Sequence, residues 1–146
     1  MTRYTQATVG LAAGALAALV TGMGLVAAPA APASPGIYTV EQATRGEAIF
    51  REHCVSCHRE GLAGRKSDGG PMLRGAQFTT KWGNQTIHAL FATMEELMPG
   101  RHPGSLTRAQ YADTVSYILK MNGMAPGPTA LPSDPEAQFK VKLRFR

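Results

Sequence analysis

The chain has 146 residues with a formal net charge of +5, and 44% of its residues are hydrophobic. This length corresponds to a single domain. The sequence contains two cysteines and no second C-x-x-C or H-x-x-x-H pair, which excludes a structural zinc site with four protein ligands.

The first 30 residues are predicted to be a secretory signal peptide. Arg3 is the only charged residue before Glu41, residues 9–28 are almost entirely apolar, and small residues mixed with proline follow. A basic start, an apolar stretch and a small-residue exit are typical of a cleaved signal peptide. Because the apolar run has about 20 residues, an uncleaved N-terminal membrane anchor is the alternative. Residues 31–38 contain prolines and no charge, and they are predicted to form an extended linker.

The sequence Cys54-Val55-Ser56-Cys57-His58 contains both cysteines, spaced C-x-x-C and followed directly by a histidine. This pattern is typical of covalent attachment of c-type haem. Two thiols on one helical turn can form thioethers with the vinyl groups on one edge of the porphyrin, and His58 can then bind the iron as an axial ligand. A thioredoxin-like redox pair would require a surrounding βαβ pattern, and none is visible. A disulfide closing so short a loop would stabilise the fold little.

A helix is predicted to begin at Thr39, because a glutamine three residues later completes a capping-box pattern. Gly46, Phe50 and Cys54 then fall on one face, and a glycine inside a helix indicates that another helix crosses closely there. The run G-E-A-I-F-R-E-H-C-V-S-C-H closely resembles the N-terminal helix and haem motif of class I c-type cytochromes. The resemblance implies an all-α fold of three to four helices around one covalently attached haem, with the cytochrome c domain at residues 39–124.

Residues 59–83 contain six glycines and little periodicity, so they are predicted to form a loop that wraps the haem. The run P-M-L that begins at Pro71 resembles an element of the family, which implies that the Pro71 carbonyl accepts a hydrogen bond from Nδ1 of His58. A simple turn proline is the alternative. Trp82 could donate its indole N–H to a haem propionate, as tryptophans do in some relatives, or it could be a packing residue.

A further helix is predicted to begin after residues 84–86 and to end at Met98, because proline and glycine follow. Class I cytochromes use as sixth iron ligand a methionine well downstream of the haem motif, often followed by proline. Met98 matches this pattern 40 residues after His58. Met94, on the apolar face of the helix, is the alternative methionine. Two histidines are the remaining candidates for the sixth ligand: His88 and His102.

The last helix of the domain is predicted to begin at Thr107, with a second capping-box pattern, and to end at Asn122-Gly123. The run from Met98 to Gly123 closely resembles cytochromes c, and cytochrome domains, that are fused to or partnered with pyrroloquinoline quinone dehydrogenases of periplasmic bacteria. That resemblance implies that a periplasmic dehydrogenase donates the electrons.

Residues 125–146 are predicted to be a tail, in which a proline-rich segment precedes alternating apolar and basic residues. Alternation is typical of a half-buried strand, and a single strand is not stable alone. The tail must therefore lie along the domain, pair with a partner or stay disordered. Residues 31–138 carry ten basic and ten acidic residues, so the positive charge of the mature chain is concentrated in the tail. Such a patch could steer an acidic partner or attract an anionic membrane.

The function implied by the resemblance is electron transfer by a His/Met-ligated haem c in the periplasm, from a dehydrogenase towards a terminal oxidase or another cytochrome. With both axial positions filled by protein, substrate cannot reach the iron, so no enzymatic activity is predicted. A five-coordinate haem enzyme or sensor is the first alternative, and a haem subunit fixed in a dehydrogenase complex is the second. Membrane association is expected only through the leader or the basic tail, and no nucleic-acid partner is predicted.

Overall fold

The computed structural model describes residues 36–65 and 69–145, so the predicted signal peptide and most of the predicted linker lie outside the described residues. Within these ranges the fold is all-α, as predicted. The described helices are α1 (Val40–His53), α2 (Val55–His58), α3 (Ala76–Trp82), α4 (Ile87–Leu97), α5 (Arg108–Met121) and α6 (Pro135–Phe139), with a 3₁₀ turn at Glu60–Leu62. These helices outnumber the three to four expected from the sequence. The additional ones are short: α2, α3 and α6 have only four, seven and five residues. Across the described ranges, no helix is long and apolar enough to cross a membrane.

Helices α1 and α5 cross at Gly46. Both helices begin with a capping box, opened by Thr39 and by Thr107, as the sequence predicts. At the crossing, a Cβ atom on Gly46 would overlap with the main-chain carbonyl oxygen of Asp113, so the two backbones are in direct contact. The predicted close approach of a second helix at Gly46 is therefore confirmed.

Side chains on both sides of this crossing hold α1 and α5 together. Phe50 packs against Tyr117 with ring centroids 5.4 Å apart. The guanidinium of Arg45 donates two hydrogen bonds, of 2.7 and 2.8 Å, to the carboxylate of Asp113. The bidentate geometry gives this pair directional specificity in addition to its charge attraction.

Helix α5 ends in a Schellman motif at Asn122. The amide groups of Gly123 and Met124 donate back to the last turn at 3.0 and 3.1 Å, and the positive φ of Gly123 suits a glycine. The Asn122 side chain donates from Nδ2 to the carbonyl of Leu73 at 2.8 Å and accepts from the amide of Gly75 at 3.0 Å. The C-terminus of α5 thus anchors the segment that precedes α3.

Helix α3 interrupts the region predicted to be one long loop, and that prediction was wrong for residues 76–82. The helix buries Phe78 and Trp82. It begins at Gly75, which has no side chain to cap the helix and adopts a positive φ. A helix of seven residues without a capping side chain leaves little local signal in the sequence.

The C-terminal tail lies along the domain, which is one of the three arrangements that its alternating pattern allowed. Residues 141–145 run beside residues 84–87 and form main-chain hydrogen bonds of 2.8 or 2.9 Å with them. Within the described residues, the β-bridge between these two segments is an isolated one. Leu143 is fully buried, and Phe145 meets Phe78 edge-on at 5.9 Å. The intervening basic residues are exposed: Lys140, Lys142 and Arg144.

The packed core extends on both sides of residues 39–124. Tyr38 is 1% exposed, and its hydroxyl donates to the carbonyl of Met124. The amide of Gly127 in turn donates to the carbonyl of Tyr38 at 2.7 Å, and Leu131 is buried nearby in the same hydrophobic core. Segments flanking the helical region therefore close the core.

Candidate functional site

A cavity of about 480 Å³ lies among α1, α2, the segment before α3, and helices α3, α4 and α5. Its volume falls within the usual range of ligand pockets, roughly 300–1,000 Å³. Its walls are mostly apolar. All of the predicted site residues line it: Cys54, Cys57, His58, Pro71, Trp82 and Met98.

The imidazole of His58 is held in one orientation at the wall of this cavity. His58 is 4% exposed, and its Nδ1 lies 2.8 Å from the carbonyl oxygen of Pro71. Because a carbonyl can only accept, Nδ1 must carry the proton, which leaves the lone pair of Nε2 available to a ligand. The predicted hydrogen bond is therefore present, and Pro71 does more than form a turn.

Gly70 allows the backbone before Pro71 to approach the imidazole. A Cβ atom at Gly70 would overlap with the ring of His58. The chain can therefore stack on the ring only because this residue has no side chain. The glycine before Pro71 and the carbonyl of Pro71 together fix both the tilt and the tautomer of His58.

The two cysteines lie at the junction of α1 and α2, and neither forms a disulfide. Burial, with a smaller contribution from the charge of Cys57, raises the pKa of Cys54 to about 11. The Cys54 thiol is therefore neutral at physiological pH.

The side chains present fit a covalently attached haem. Two cysteine side chains and an imidazole with a free Nε2 lie within one helical turn, and all three line the same apolar cavity. A porphyrin needs this combination: thiols for its vinyl groups, a nitrogen for its iron and apolar walls for its faces.

Met98 lies at the other end of α4 and also lines the cavity. It is the C-cap of the helix and has an extended backbone. Its carbonyl accepts hydrogen bonds from the hydroxyl of Tyr111 at 2.6 Å and from the amide of Gly104 at 3.2 Å. Met94 lines the cavity as well, from within α4, and belongs to the hydrophobic core. Both methionines, Met94 and Met98, therefore line the cavity.

Tyr111, in the first turn of α5, is a residue that the sequence analysis did not assign to the site. It is 1% exposed, and its ring meets Phe91 edge-on at 5.9 Å. The available signal was its hydroxyl, because a buried tyrosine usually finds a hydrogen-bond partner. The identity of that partner, thirteen residues earlier in the chain, could not be derived from local pattern.

Trp82 packs at the edge of the cavity. Its ring is 6.3 Å from that of Phe78, and the ammonium of Lys81 lies 4.9 Å from the indole centroid. These contacts bury the ring, and a hydrogen bond from its indole N–H to a haem propionate stays a prediction. Lys81 also lines the cavity and is exposed, so it brings a positive charge to the cavity edge.

The histidines proposed as alternative ligands do not line the cavity. His88 stacks on Phe139 of α6 with centroids 3.7 Å apart. His102 is exposed, and its amide donates to the carbonyl of Pro99 within the loop after Met98. Neither position supports ligation by two histidines at this site.

A small all-α domain with a C-x-x-C-H motif on an apolar cavity is a c-type cytochrome domain. Residues 41–118, more than half of the chain, match the family model described as cytochrome C oxidase, cbb3-type, subunit III. The chain belongs to this family. Its cofactor is covalently bound haem c, with Cys54 and Cys57 in the attachment positions. No curated protein and no solved structure gives a match.

Proposed function

We propose that this protein is an electron carrier whose haem iron is bound by His58 and Met98, with thioethers at Cys54 and Cys57. The observation that carries the proposal is that one apolar cavity is lined both by His58, held at Nδ1 by the Pro71 carbonyl, and by Met98. Membership of a cytochrome c family supports electron transfer rather than turnover of a substrate.

Bound haem c supplies a one-electron iron couple. The Pro71 carbonyl orients the imidazole of His58 and makes its Nε2 a stronger donor. A thioether from Met98 favours the reduced state and raises the reduction potential. The apolar walls exclude water, and two protein ligands would leave no position for a substrate.

The partner and location belong to the same proposal. The predicted signal peptide supports a periplasmic carrier that takes electrons from a dehydrogenase of the pyrroloquinoline quinone type and passes them towards an oxidase. Lys140, Lys142 and Arg144 of the tail are exposed, and none of these three forms an ion pair with another described residue. Such charges would steer an acidic partner or hold the protein as a fixed subunit of a complex.

The test is the weak near-infrared sulfur-to-iron band of the ferric protein, measured in two matched variants. Leucine conserves the volume of methionine, so Met98→Leu and Met94→Leu should both fold. Loss of the band in Met98→Leu and its retention in Met94→Leu is the expected result. The opposite pattern would make Met94 the ligand. A wild-type protein without the band, whose reduced form binds carbon monoxide, would instead be a five-coordinate enzyme or sensor.

A further inference from the structure

The backbone of Met98 is attached to helix α5. Its carbonyl oxygen accepts from the Tyr111 hydroxyl at 2.6 Å and from the amide of Gly104 at 3.2 Å. The first bond joins the end of α4 to the first turn of α5, and the second closes the loop between them. Met98 is therefore held from a separate helix as well as from its own, where its amide donates to Met94 at 2.9 Å.

The hydroxyl of Tyr111 is directed by packing. The side chain is 1% exposed, and its ring meets Phe91, which is fully buried, at an angle of 63°. Because this packing holds the ring of Tyr111 in place, its hydroxyl has little freedom to point elsewhere. The hydrogen bond to Met98 is thus a preset attachment point and not a surface contact.

An ion pair closes the base of the same loop. Arg108 donates from Nη1 to both carboxylate oxygens of Glu95, at 2.9 and 3.1 Å, and its guanidinium carbon lies 5.2 Å from the Phe91 ring centroid. Residues 98–107 therefore connect two helices that are joined by side chains on each side of the loop. Among the side chains that join the two helices, Tyr111 is the one that contacts Met98 itself.

We propose that Tyr111 is a positioning residue that keeps Met98 in the cavity as the iron ligand. This inference rests on the proposed function. The methionine side chain has several rotatable bonds, so the position of its sulfur depends on where its backbone is fixed. Without the Tyr111 hydroxyl, the loop opens more often and the iron becomes accessible to an external ligand.

The experiment measures the affinity of the ferric holoprotein for imidazole, which competes with the methionine sulfur for the iron. Tyr111→Phe removes the hydroxyl and keeps the ring that packs on Phe91. Losing one hydrogen bond of ordinary strength predicts imidazole binding tighter by about tenfold. The near-infrared band should also disappear at a lower temperature than in the wild type.

Tyr117→Phe is the matched control, because Tyr117 is on the same helix and its hydroxyl has no hydrogen-bond partner among the described residues. It should leave imidazole affinity within about twofold. Equal imidazole affinities in the wild type and both variants would overturn the positioning role. If the wild type then still shows the near-infrared band, the proposed function stands. An equal increase in both variants would indicate general destabilisation and would overturn it too. A wild type without the band would refute the proposed function, and Tyr111 would then have no ligand to position.

Discussion

Replacing Gly46 by alanine sets helix propensity against packing. Alanine is the better helix former by about 1 kcal/mol, so propensity alone predicts a more stable protein. However, the added Cβ would overlap with the carbonyl oxygen of Asp113, which is main chain and cannot rotate away. Helices α1 and α5 must then move apart along their whole contact.

The steric term is expected to win. Inserting a methyl group into a packed interior costs typically 1–3 kcal/mol, and a rigid backbone neighbour puts this site at or above about 3 kcal/mol. After subtracting the propensity gain of about 1 kcal/mol, the predicted net loss is about 2 kcal/mol. For a domain of this size, that corresponds to a melting temperature lower by roughly 10 °C.

The assay is thermal and denaturant unfolding of the ferric holoprotein, followed by far-ultraviolet circular dichroism. The matched control is Ala48→Gly, because Ala48 is an exposed residue of the same helix and its replacement tests propensity alone. That variant should lose about 1 kcal/mol. If Gly46→Ala were as stable as the wild type or more so, the backbone contact between α1 and α5 would not exist as described.

Two further predictions concern the tail and the segment before α1. Leu143→Ala should lower the free energy of unfolding by about 2–3 kcal/mol, because Leu143 is fully buried. The control Lys142→Ala should change it by less than about 0.5 kcal/mol. Equal effects of the two variants in denaturant titrations would refute docking of the tail on the domain. Burial raises the pKa of Tyr38 above its ordinary value, so its contribution to stability is complete below about pH 10 and is lost as pH rises through the folded-state pKa. Tyr38→Phe should therefore weaken the fall in stability above pH 10, and an unchanged alkaline slope would contradict this assignment.

Features with a local chemical cause could be predicted from the sequence. The capping boxes at Thr39 and Thr107 depend on residues three positions apart, and both are present. The close crossing at Gly46 follows from the cost of a glycine inside a helix. The hydrogen bond between His58 and Pro71 came from a family resemblance, since nothing local to either residue requires it.

Features that depend on distant parts of the chain could not be predicted. Helix α3 is stabilised by burying Phe78 and Trp82 rather than by a cap, so its signal is tertiary. The alternating tail allowed three arrangements, and the burial of Leu143 and the main-chain hydrogen bonds to residues 84–87, which are tertiary contacts, distinguish docking on the domain. Nothing in the local pattern around Tyr111 predicts its hydrogen bond to Met98, because the two residues are thirteen positions apart and meet only in the folded chain.

Helix α5 connects these observations, because it anchors the segment that carries Met98 and the segment whose Pro71 carbonyl orients His58. Tyr111, near its start, binds the carbonyl of Met98, and Asn122, at its end, binds the main chain at Leu73, two residues after Pro71. The two anchors are eleven residues apart, which is about 16 Å along a helix. Between them α5 lines the cavity itself and packs backbone to backbone on α1, which carries Cys54 at its end. One rigid helix therefore fixes the spacing between the cysteine motif, the Pro71 carbonyl and Met98, so a change in the crossing of α1 and α5 should alter the ligand geometry as well as the stability.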